Sequence, residues 1–285
     1  MRSLNLKGAA AMPVLGLGTW NMGESAARRT AEVAAVRTAI DMGYRLIDTA
    51  EMYGEGGAEE VVGQAVAEAL RAGDVKREDL FIVSKVYPHN ASRKGTPAAC
   101  ARSLQRLGLD HIDLYLLHWR GEHPLAHTLD AMRALVEQGR IRHWGVSNFD
   151  TDDMQELAAI SGGDLDCATN QVYFSVAERG PEFSLLPWLG DRQIPLMAYS
   201  PIDQGALATD TALAQLAQRL NATPAQLALA WLLSRQGVAV IPKAVSESHQ
   251  RENLAAAALE LPPEVLTEID HLYPPPQRKN PLAMI

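Results

Sequence analysis

The sequence has few cysteines and no long apolar run, and each of these absences excludes a class of protein. Cys100 and Cys167 are too few for a disulfide framework and lack the spacing of a metal site, so a reducing compartment is the simpler expectation. No window reaches the roughly 18 apolar residues that a membrane helix needs. The segment Met1–Lys7 is not followed by an apolar core of signal-peptide length. We therefore expect a cytoplasmic protein without a membrane partner.

The sequence also has fewer basic than acidic residues and lacks several cofactor-binding and metal-binding motifs. Lys and Arg total 26 against 34 Asp and Glu, which gives a net charge of -8 and argues against a nucleic-acid partner. Gly16-Leu-Gly18 begins a dinucleotide fingerprint, but its third glycine would fall at Asn21. There is no phosphate loop and no helical His-Glu-x-x-His, so we predict that no metal is bound.

What the sequence does contain is a series of seven short apolar runs that each end in a reactive polar group. Such a run is typical of a buried parallel strand whose carboxyl end opens into an active site. The runs are Arg45–Asp48, Phe81–Lys85, Leu114–His118, Trp144–Asn148, Ala168–Gln171, Leu196–Ser200 and Val240–Lys243.

Strand and helix patterns alternate along the whole chain, which predicts a parallel α/β fold. With a first strand at Leu15–Thr19, eight strands are expected. No change of composition marks a linker, which favours a closed (β/α)8 TIM barrel and one domain over residues 1–285. Thr96 and Thr223 each precede a proline and are expected to be helix N-caps.

Two further features are expected outside the barrel itself. The segment Leu4–Val14, which contains Lys7-Gly8, is expected to form an N-terminal β-hairpin that covers the N-terminal mouth of the barrel. Two additional helices are expected near Ser248–Ala257 and Pro263–Leu272.

Four side chains near the ends of strands two to four can form a proton-transfer set. Alone, a loop tyrosine or a strand-end lysine is usually solvated, but in a barrel Asp48, Tyr53, Lys85 and His118 project into one mouth. The Lys85 ammonium would stabilise a Tyr53 phenolate and so lower the pKa of Tyr53, Asp48 would hold Lys85 charged, and His118 could bind a carbonyl oxygen. This set has an acid and orienting groups but no nucleophile, and it favours reduction of a carbonyl by an external hydride donor.

A series of motifs occurs in order over nearly the whole chain. They are Gly16-Leu-Gly-Thr-Trp20, Asp48-Thr-Ala-Glu-Met-Tyr53, Ser84-Lys85, Leu116-Leu-His118-Trp119, Gly145-Val-Ser-Asn148-Phe149, Asn170-Gln171-Val172, Ala198-Tyr-Ser-Pro201 and Ile241-Pro-Lys243. Together they strongly resemble the aldo-keto reductase superfamily, most closely its bacterial branch of methylglyoxal and small-aldehyde reductases. The resemblance implies a (β/α)8 barrel, the cofactor NADPH, and a catalytic tetrad of Asp48, Tyr53, Lys85 and His118 with Tyr53 as proton donor.

The resemblance also implies which residues contact the cofactor. Gly18, Thr19, Trp20 and Asp48 are expected around the nicotinamide ribose. The carboxamide is expected against Ser147, Asn148 and Gln171, and the nicotinamide ring against Tyr199. The expected pyrophosphate contacts are Ser200, Pro201, Ile202 and Gln204, and the expected contacts around the adenosine 2′-phosphate are Lys243, Ala244, Ser246, His249, Glu252 and Asn253.

Two positions depart from the family pattern at the adenosine end. Ala244 and His249 stand where the family often has Ser and Arg, and an imidazole cannot bind phosphate in the bidentate manner of a guanidinium. Lys243 still favours NADPH, with NADH use left open.

The expected substrate is a small carbonyl compound, and the expected protein is a monomer. The substrate pocket is predicted to be walled by Trp20, Tyr53, Tyr87, His118 and Trp119, and a short proline-rich tail predicts an open pocket. Two alternatives remain open: a non-catalytic NADPH-binding sensor or regulatory subunit on the same fold, and a lyase that uses Lys85 as a Schiff-base nucleophile.

Overall fold

Eight parallel strands form the centre of the molecule in the computed structural model, which describes residues 2–7, 10–163 and 165–285. Each strand pairs with the next one along the chain. The strands are β3 (Gly16–Gly18), β4 (Leu46–Asp48), β5 (Phe81–Val86), β6 (Ile112–Leu117), β7 (Ile141–Ser147), β8 (Asn170–Tyr173), β9 (Leu196–Tyr199) and β10 (Val238–Val240), after a two-stranded hairpin of β1 (Ser3–Asn5) and β2 (Ala11–Pro13).

The sheet closes on itself between its first and last strands. The Val240 N–H donates to Val14 O at 2.8 Å, and the Gly18 N–H donates to Pro242 O at 3.1 Å. Parallel bridges also join Leu15 to Val240 and Gly18 to Lys243. The predicted (β/α)8 barrel is therefore confirmed, with closure made by short bridges that lie outside the named strands.

Helices follow the strands and cover the outside of the barrel. In the described ranges they are α1 (Ala26–Asp41), α2 (Gly57–Ala72), α3 (Gly95–Leu107), α4 (Leu125–Glu137), α5 (Thr151–Ile160), α6 (Leu185–Gly190), α7 (Thr211–Arg219), α8 (Pro224–Leu233), α9 (Glu247–Ala256) and α10 (Pro263–Leu272). The expected pair near the end of the chain corresponds to α9 and α10. Within these same ranges, no helix is both long and apolar enough to cross a bilayer.

Helix ends follow local sequence rules at most of the predicted positions. Thr223 caps α8 by accepting from the Gln226 N–H at 3.2 Å, and the Gln226 side chain accepts from the Thr223 N–H, which completes a capping box. Gly108 ends α3 with φ of 65°, a left-handed conformation that glycine adopts without strain.

The predicted cap at Thr96 is wrong. Helix α3 begins at Gly95, two residues before Pro97, and its N-cap residue is Lys94; the turn before it is closed by the Gly95 N–H, which donates to the Ser92 hydroxyl at 2.9 Å. Thr96 is instead buried inside the helix, against the protein interior.

The N-terminal hairpin fills one end of the barrel. Strands β1 and β2 pair in antiparallel register from Ser3–Pro13 to Asn5–Ala11. Leu6 and Met12 are buried and pack in the cluster that fills the barrel interior. The hairpin expected over Leu4–Val14 is confirmed, although Gly8 and Ala9 lie outside the described residues. The opposite end of the barrel, where the carboxyl ends of the strands meet, stays available for a site.

Candidate active site

The four residues of the proposed proton-transfer set meet at the carboxyl ends of β4, β5 and β6. Asp48 is the last residue of β4, Lys85 lies one residue before the end of β5, and His118 directly follows β6. Tyr53 opens the short 3-10 turn Tyr53–Gly56 that follows β4. The parallel strands bring these side chains to one rim, as the sequence pattern predicted.

Hydrogen bonds link three of these residues in series. The Lys85 ammonium donates to Asp48 Oδ2 at 2.7 Å, to Thr49 O at 2.9 Å and to the Tyr53 hydroxyl at 3.3 Å. Lys85 has no exposed surface and Asp48 is 2% exposed. Three acceptors therefore surround the ammonium, which satisfies its donors without water.

Lys85 is held in its charged form, while burial raises the pKa of its partner Asp48 against the opposing effect of the Lys85 charge. Burial alone lowers the pKa of Lys85, but the Asp48 carboxylate and the Tyr53 hydroxyl outweigh that effect, and the net pKa of Lys85 is raised. A permanently protonated amine is not a nucleophile, so the Schiff-base alternative for Lys85 lacks its required neutral amine.

Tyr53 remains a neutral phenol at ordinary pH. Burial raises the pKa of Tyr53, the Lys85 ammonium lowers it, the nearby Asp48 charge raises it again, and the net shift is upward. The sequence-based expectation of a lowered pKa counted the ammonium without the larger cost of burying a phenolate. Tyr53 thus carries the proton that a general acid needs.

His118 lies against Tyr53 as a neutral imidazole. Their ring centroids are 5.6 Å apart in an edge arrangement. Burial, and then the Lys85 charge, holds the pKa of His118 well below its usual range. Its buried Nδ1 has no hydrogen-bond partner among the described residues. The ring is therefore fixed in its uncharged form beside the tyrosine hydroxyl.

Later strands add a second group of polar side chains that is joined to the first. Gln171 Nε2 donates to Asp48 Oδ1 at 2.8 Å. Asn148 Nδ2 donates to His118 O at 3.1 Å, and the Tyr199 hydroxyl donates to Asn148 Oδ1 at 2.9 Å. Asn148 has φ of 59°, a left-handed conformation that asparagine tolerates better than most residues. The two groups form one continuous network across the barrel mouth.

A strained turn after β9 forms the next part of the rim. Ser200, Asp203 and Gln204 all have positive φ, between 46° and 51°. The Tyr173 hydroxyl contacts Asp203 Oδ1, and the Tyr173 ring stacks on Tyr199 at 5.9 Å between centroids. Side-chain contacts from β8 therefore hold this turn in place, and non-glycine residues at positive φ often mark functional sites.

A cavity of about 880 Å³ runs across this rim. One end lies over Tyr53, His118 and Trp119, and the other reaches Lys243 and His249. Such a volume lies near the upper end of the range for ligand pockets, and a lining that extends from Tyr53 to Lys243 suits a dinucleotide with a small second ligand. Residues named from the sequence that line it are Gly18, Trp20, Asp48, Tyr53, His118, Trp119, Ser147, Asn148, Gln171, Tyr199, Ser200, Pro201, Ile202, Gln204, Lys243, His249, Glu252 and Asn253.

The composition of the cavity fits a dinucleotide phosphate. Lys243 is an exposed cation at one end, and the amides of Asn148 and Gln171 line the same cavity together with Tyr199, whose hydroxyl donates to Asn148 Oδ1. At Gly18 the chain passes so close to Ile241 O that an added Cβ would lie 2.7 Å from it. A side chain at position 18 would therefore clash with the segment that follows β10, where Gly18 bridges to Lys243.

Comparisons with known proteins agree with this geometry. The sequence profile described as the Aldo/keto reductase family matches residues 14–274. The chain belongs to this family. The protein named methylglyoxal reductase YeaE of Escherichia coli K12 is 45% identical over 289 residues, with 100% of this chain and 99% of the relative covered. The glyoxal reductase of Bacillus subtilis is 37% identical, with 95% of this chain and 92% of the relative covered.

Solved structures are also close. A crystal structure of an aldo-keto reductase from Klebsiella pneumoniae in complex with NADPH superposes with a TM-score of 0.93 at 48% identity, covering 100% of this chain and 99% of that chain. A thermostable aldo-keto reductase, Tm1743, bound to the inhibitor epalrestat superposes with a TM-score of 0.88 at 41% identity, covering 95% and 100%. The resemblance read from the sequence is confirmed, and the protein is an oxidoreductase that acts on carbonyl groups.

Five residues expected at the site of this aldo/keto reductase do not line the cavity. Thr19 is fully buried and donates through its hydroxyl to Asp48 O at 2.9 Å, and Lys85 lies beneath Tyr53. The Tyr87 ring lies against Trp119 at 5.1 Å between centroids, outside the cavity lining. Ala244 is buried, and the Ser246 hydroxyl caps α9 by accepting from the His249 N–H at 3.3 Å.

Other lining residues were not predicted from the sequence. Met284 and Ile285 border the cavity, although the short tail predicted an open pocket. The tail is anchored by Lys279, whose ammonium lies 2.6 Å from Asp152 Oδ2. No local pattern signals this contact. The remaining unpredicted lining residues are Asn21, Met52, Gly205, Ala208, Thr223, Pro224, Ala225 and Ile241.

Proposed function

We propose that this aldo/keto reductase reduces small aldehydes and 2-oxoaldehydes, methylglyoxal among them, to alcohols with NADPH. The observation that carries the proposal is the neutral Tyr53 hydroxyl, 3.3 Å from a charged and buried Lys85, at one end of a cavity of dinucleotide size. Relatives named methylglyoxal reductase and glyoxal reductase support this choice of substrate class.

The proposed proton transfer follows from the charges around Tyr53. Bound NADPH supplies the hydride that adds to the carbonyl carbon. As the carbonyl oxygen gains negative charge, the Tyr53 hydroxyl donates its proton to that oxygen, and the product is an alcohol. Lys85 stabilises the phenolate that remains, while Asp48 keeps Lys85 charged and oriented. His118, neutral and next to Tyr53, orients the oxygen.

The cofactor is assigned to the rest of the cavity. Ser147, Asn148 and Gln171 would hold the carboxamide, Tyr199 would face the nicotinamide ring, and the turn after β9 would hold the pyrophosphate. Lys243, with His249 nearby, would bind the 2′-phosphate. Trp20, Met52 and Trp119 leave an apolar wall for the substrate.

Among the described residues that line the substrate half of the cavity, none is a lysine or an arginine. Arg120, which follows Trp119, donates to both carboxylate oxygens of Glu156 at 2.7 and 2.9 Å. We therefore favour neutral carbonyl substrates over those that carry a carboxylate. We also propose that the protein acts as a one-domain monomer in the cytoplasm; the free, buried Cys100 and Cys167 support a reducing compartment.

A carbonyl panel with both cofactors tests the proposal. Wild-type protein should oxidise NADPH in the presence of methylglyoxal or 4-nitrobenzaldehyde, with a lower kcat/KM for NADH. Lys243→Met should lower kcat/KM for NADPH by roughly 10- to 100-fold and leave that for NADH unchanged, because it removes a charged hydrogen bond that only the 2′-phosphate makes. An absence of turnover with every carbonyl, alongside tight NADPH binding, would instead support the sensor alternative.

A further inference from the structure

Glu51 is a buried carboxylate that the proton-transfer set does not use. It lies between Asp48 and Tyr53 in the chain, and its side chain is only 7% exposed. It does not line the cavity. A buried carboxylate is costly unless it is paired and hydrogen-bonded, so its partners indicate what it does.

The partners of Glu51 belong to the loop that follows β5. Glu51 Oε1 accepts from the Tyr87 backbone N–H at 2.8 Å and from Asn90 Nδ2 at 2.7 Å. Its own N–H donates to Lys85 O at 3.3 Å, and Arg102 lies 3.5 Å from Oε2. Glu51 thus ties the 3-10 turn Pro88–Asn90 to the segment that carries Tyr53.

The tied loop supports the substrate wall of the cavity. The Tyr87 ring packs edge-on against Trp119 with 5.1 Å between centroids. The Trp119 ring in turn lies 4.9 Å from the His118 ring, measured between centroids, and both residues line the cavity. A displacement of Tyr87 would therefore move the Trp119 face relative to the Tyr53 hydroxyl.

We propose that Glu51 is a positioning residue that sets the distance between the Trp119 wall and Tyr53, and so the fit of the substrate. Two N–H donors converge on one oxygen, and the negative charge strengthens both bonds. The inference rests on the proposed carbonyl reduction. It predicts an effect on substrate binding and none on NADPH binding. The reason is that, in the described part of the chain, no residue assigned to NADPH is hydrogen-bonded to Glu51, Tyr87 or Asn90.

Substitution of Glu51, with kcat, KM and NADPH affinity measured separately, tests the inference. Glu51→Ala should raise KM for 4-nitrobenzaldehyde about tenfold, since two buried donors lose their acceptor. The rise for methylglyoxal should be smaller, because its three carbons reach less of the Trp119 wall. The NADPH dissociation constant should not change. Glu51→Gln keeps an acceptor oxygen and should restore most of the substrate affinity. The control Glu68→Ala, at a half-buried position on α2 where the carboxylate accepts from Gln64 of the same helix, should match wild type.

A double substitution tests whether the effect travels through Tyr87. If it does, Glu51→Ala combined with Tyr87→Ala should raise KM no further than Tyr87→Ala alone. If Glu51→Ala does not fold, Asn90→Ala can replace it in this test. Asn90→Ala removes one of the two hydrogen bonds to Glu51 and keeps the carboxylate, so its rise in KM should be smaller. The inference would be overturned if wild type were active and both Glu51→Ala and Asn90→Ala had the same substrate KM as Glu68→Ala. It would also be overturned if Glu51→Ala lost substrate affinity and NADPH affinity equally. A wild type inactive on every carbonyl would overturn the proposed function itself.

Discussion

The buried Lys85 ammonium is the most costly single feature of the site. Removing a charge from water destabilises a protein unless its partners replace the lost hydration. Asp48, Thr49 and Tyr53 are those partners, and Gln171 satisfies the second oxygen of Asp48. Perturbed and buried titratable groups of this kind cluster at functional sites. The cost is understandable if the charge is needed next to Tyr53 during the reaction.

His118 provides a test of this electrostatic account through stability. Its pKa is well below the usual value when folded, so between that pKa and about 6.5 the unfolded chain binds a proton that the folded chain does not. Stability from this residue is therefore present above pH 6.5 and is lost as the pH falls. His118→Gln should flatten the dependence of the unfolding free energy on pH below 6.5, by up to about 1.4 kcal/mol per pH unit.

Urea unfolding of both proteins from pH 8 to pH 5 measures this difference. Burial also lowers the pKa of His111 and His143, but these residues are present in both proteins and their contributions cancel in the comparison. Parallel curves for wild type and His118→Gln would mean that the His118 ring is not held neutral.

The sequence predicted individual site residues correctly where a reactive side chain stands at the end of a strand. Asp48, Lys85 and His118 end apolar runs, so both their type and their place at the rim could be read from the chain. Met284 and Ile285 carry no such pattern, since their place at the cavity depends on a contact between Lys279 and Asp152 that is remote in sequence. The pKa of Tyr53 was misjudged for a similar reason, because burial depends on packing around the ring.

At the scale of the elements, helix α5 begins directly behind the site. Asp150 is its N-cap, and Asp150 Oδ1 accepts from the N–H groups of Asp152 at 2.8 Å and Asp153 at 3.0 Å. The Asp153 side chain accepts from the Asp150 N–H at 3.0 Å in return. This capping box fixes the turn that follows Asn148.

Loss of this cap should be measurable. Asp150→Ala should lower the unfolding free energy by about 1 kcal/mol, whereas Asp150→Asn should retain most of it because asparagine caps about as well as aspartate. Thermal unfolding monitored by circular dichroism compares the two. If Asp150→Asn were as unstable as Asp150→Ala, the charge of Asp150 rather than the cap would be responsible.

The sequence predicted where the helices lie more accurately than it predicted the residues at which they begin. The Thr223-Pro224 pattern placed α8 correctly because its side-chain cap is local. The same pattern at Thr96 misplaced the start of α3, because the turn that includes Ser92 and Gly95 already leads into the helix at Gly95. A Thr-Pro pair is compatible with both positions, and only the loop geometry decides between them.

At the scale of the whole molecule, closure of the barrel divides the rim into two halves. Strands β4 to β6 carry the proton-transfer set, and strands from β7 onward carry most of the residues assigned to NADPH, the rest being at the ends of β3 and β4. Gln171 joins the halves by donating to Asp48. The alternation of strands and helices predicted the barrel, but not the bridges from Leu15 to Val240 and from Gly18 to Lys243 that close it. Closure depends on pairing between the two ends of the chain, which local patterns do not encode.

The central claim is that Tyr53 donates the proton while the rest of the barrel holds the cofactor. Tyr53→Phe removes only the hydroxyl, so the measurement is kcat for methylglyoxal reduction beside NADPH affinity from the quenching of tryptophan fluorescence. We predict that NADPH affinity is unchanged and that kcat falls by roughly 10²- to 10⁴-fold, as expected for the loss of a general acid. A variant that binds NADPH normally and still reduces methylglyoxal at the wild-type rate would contradict the account.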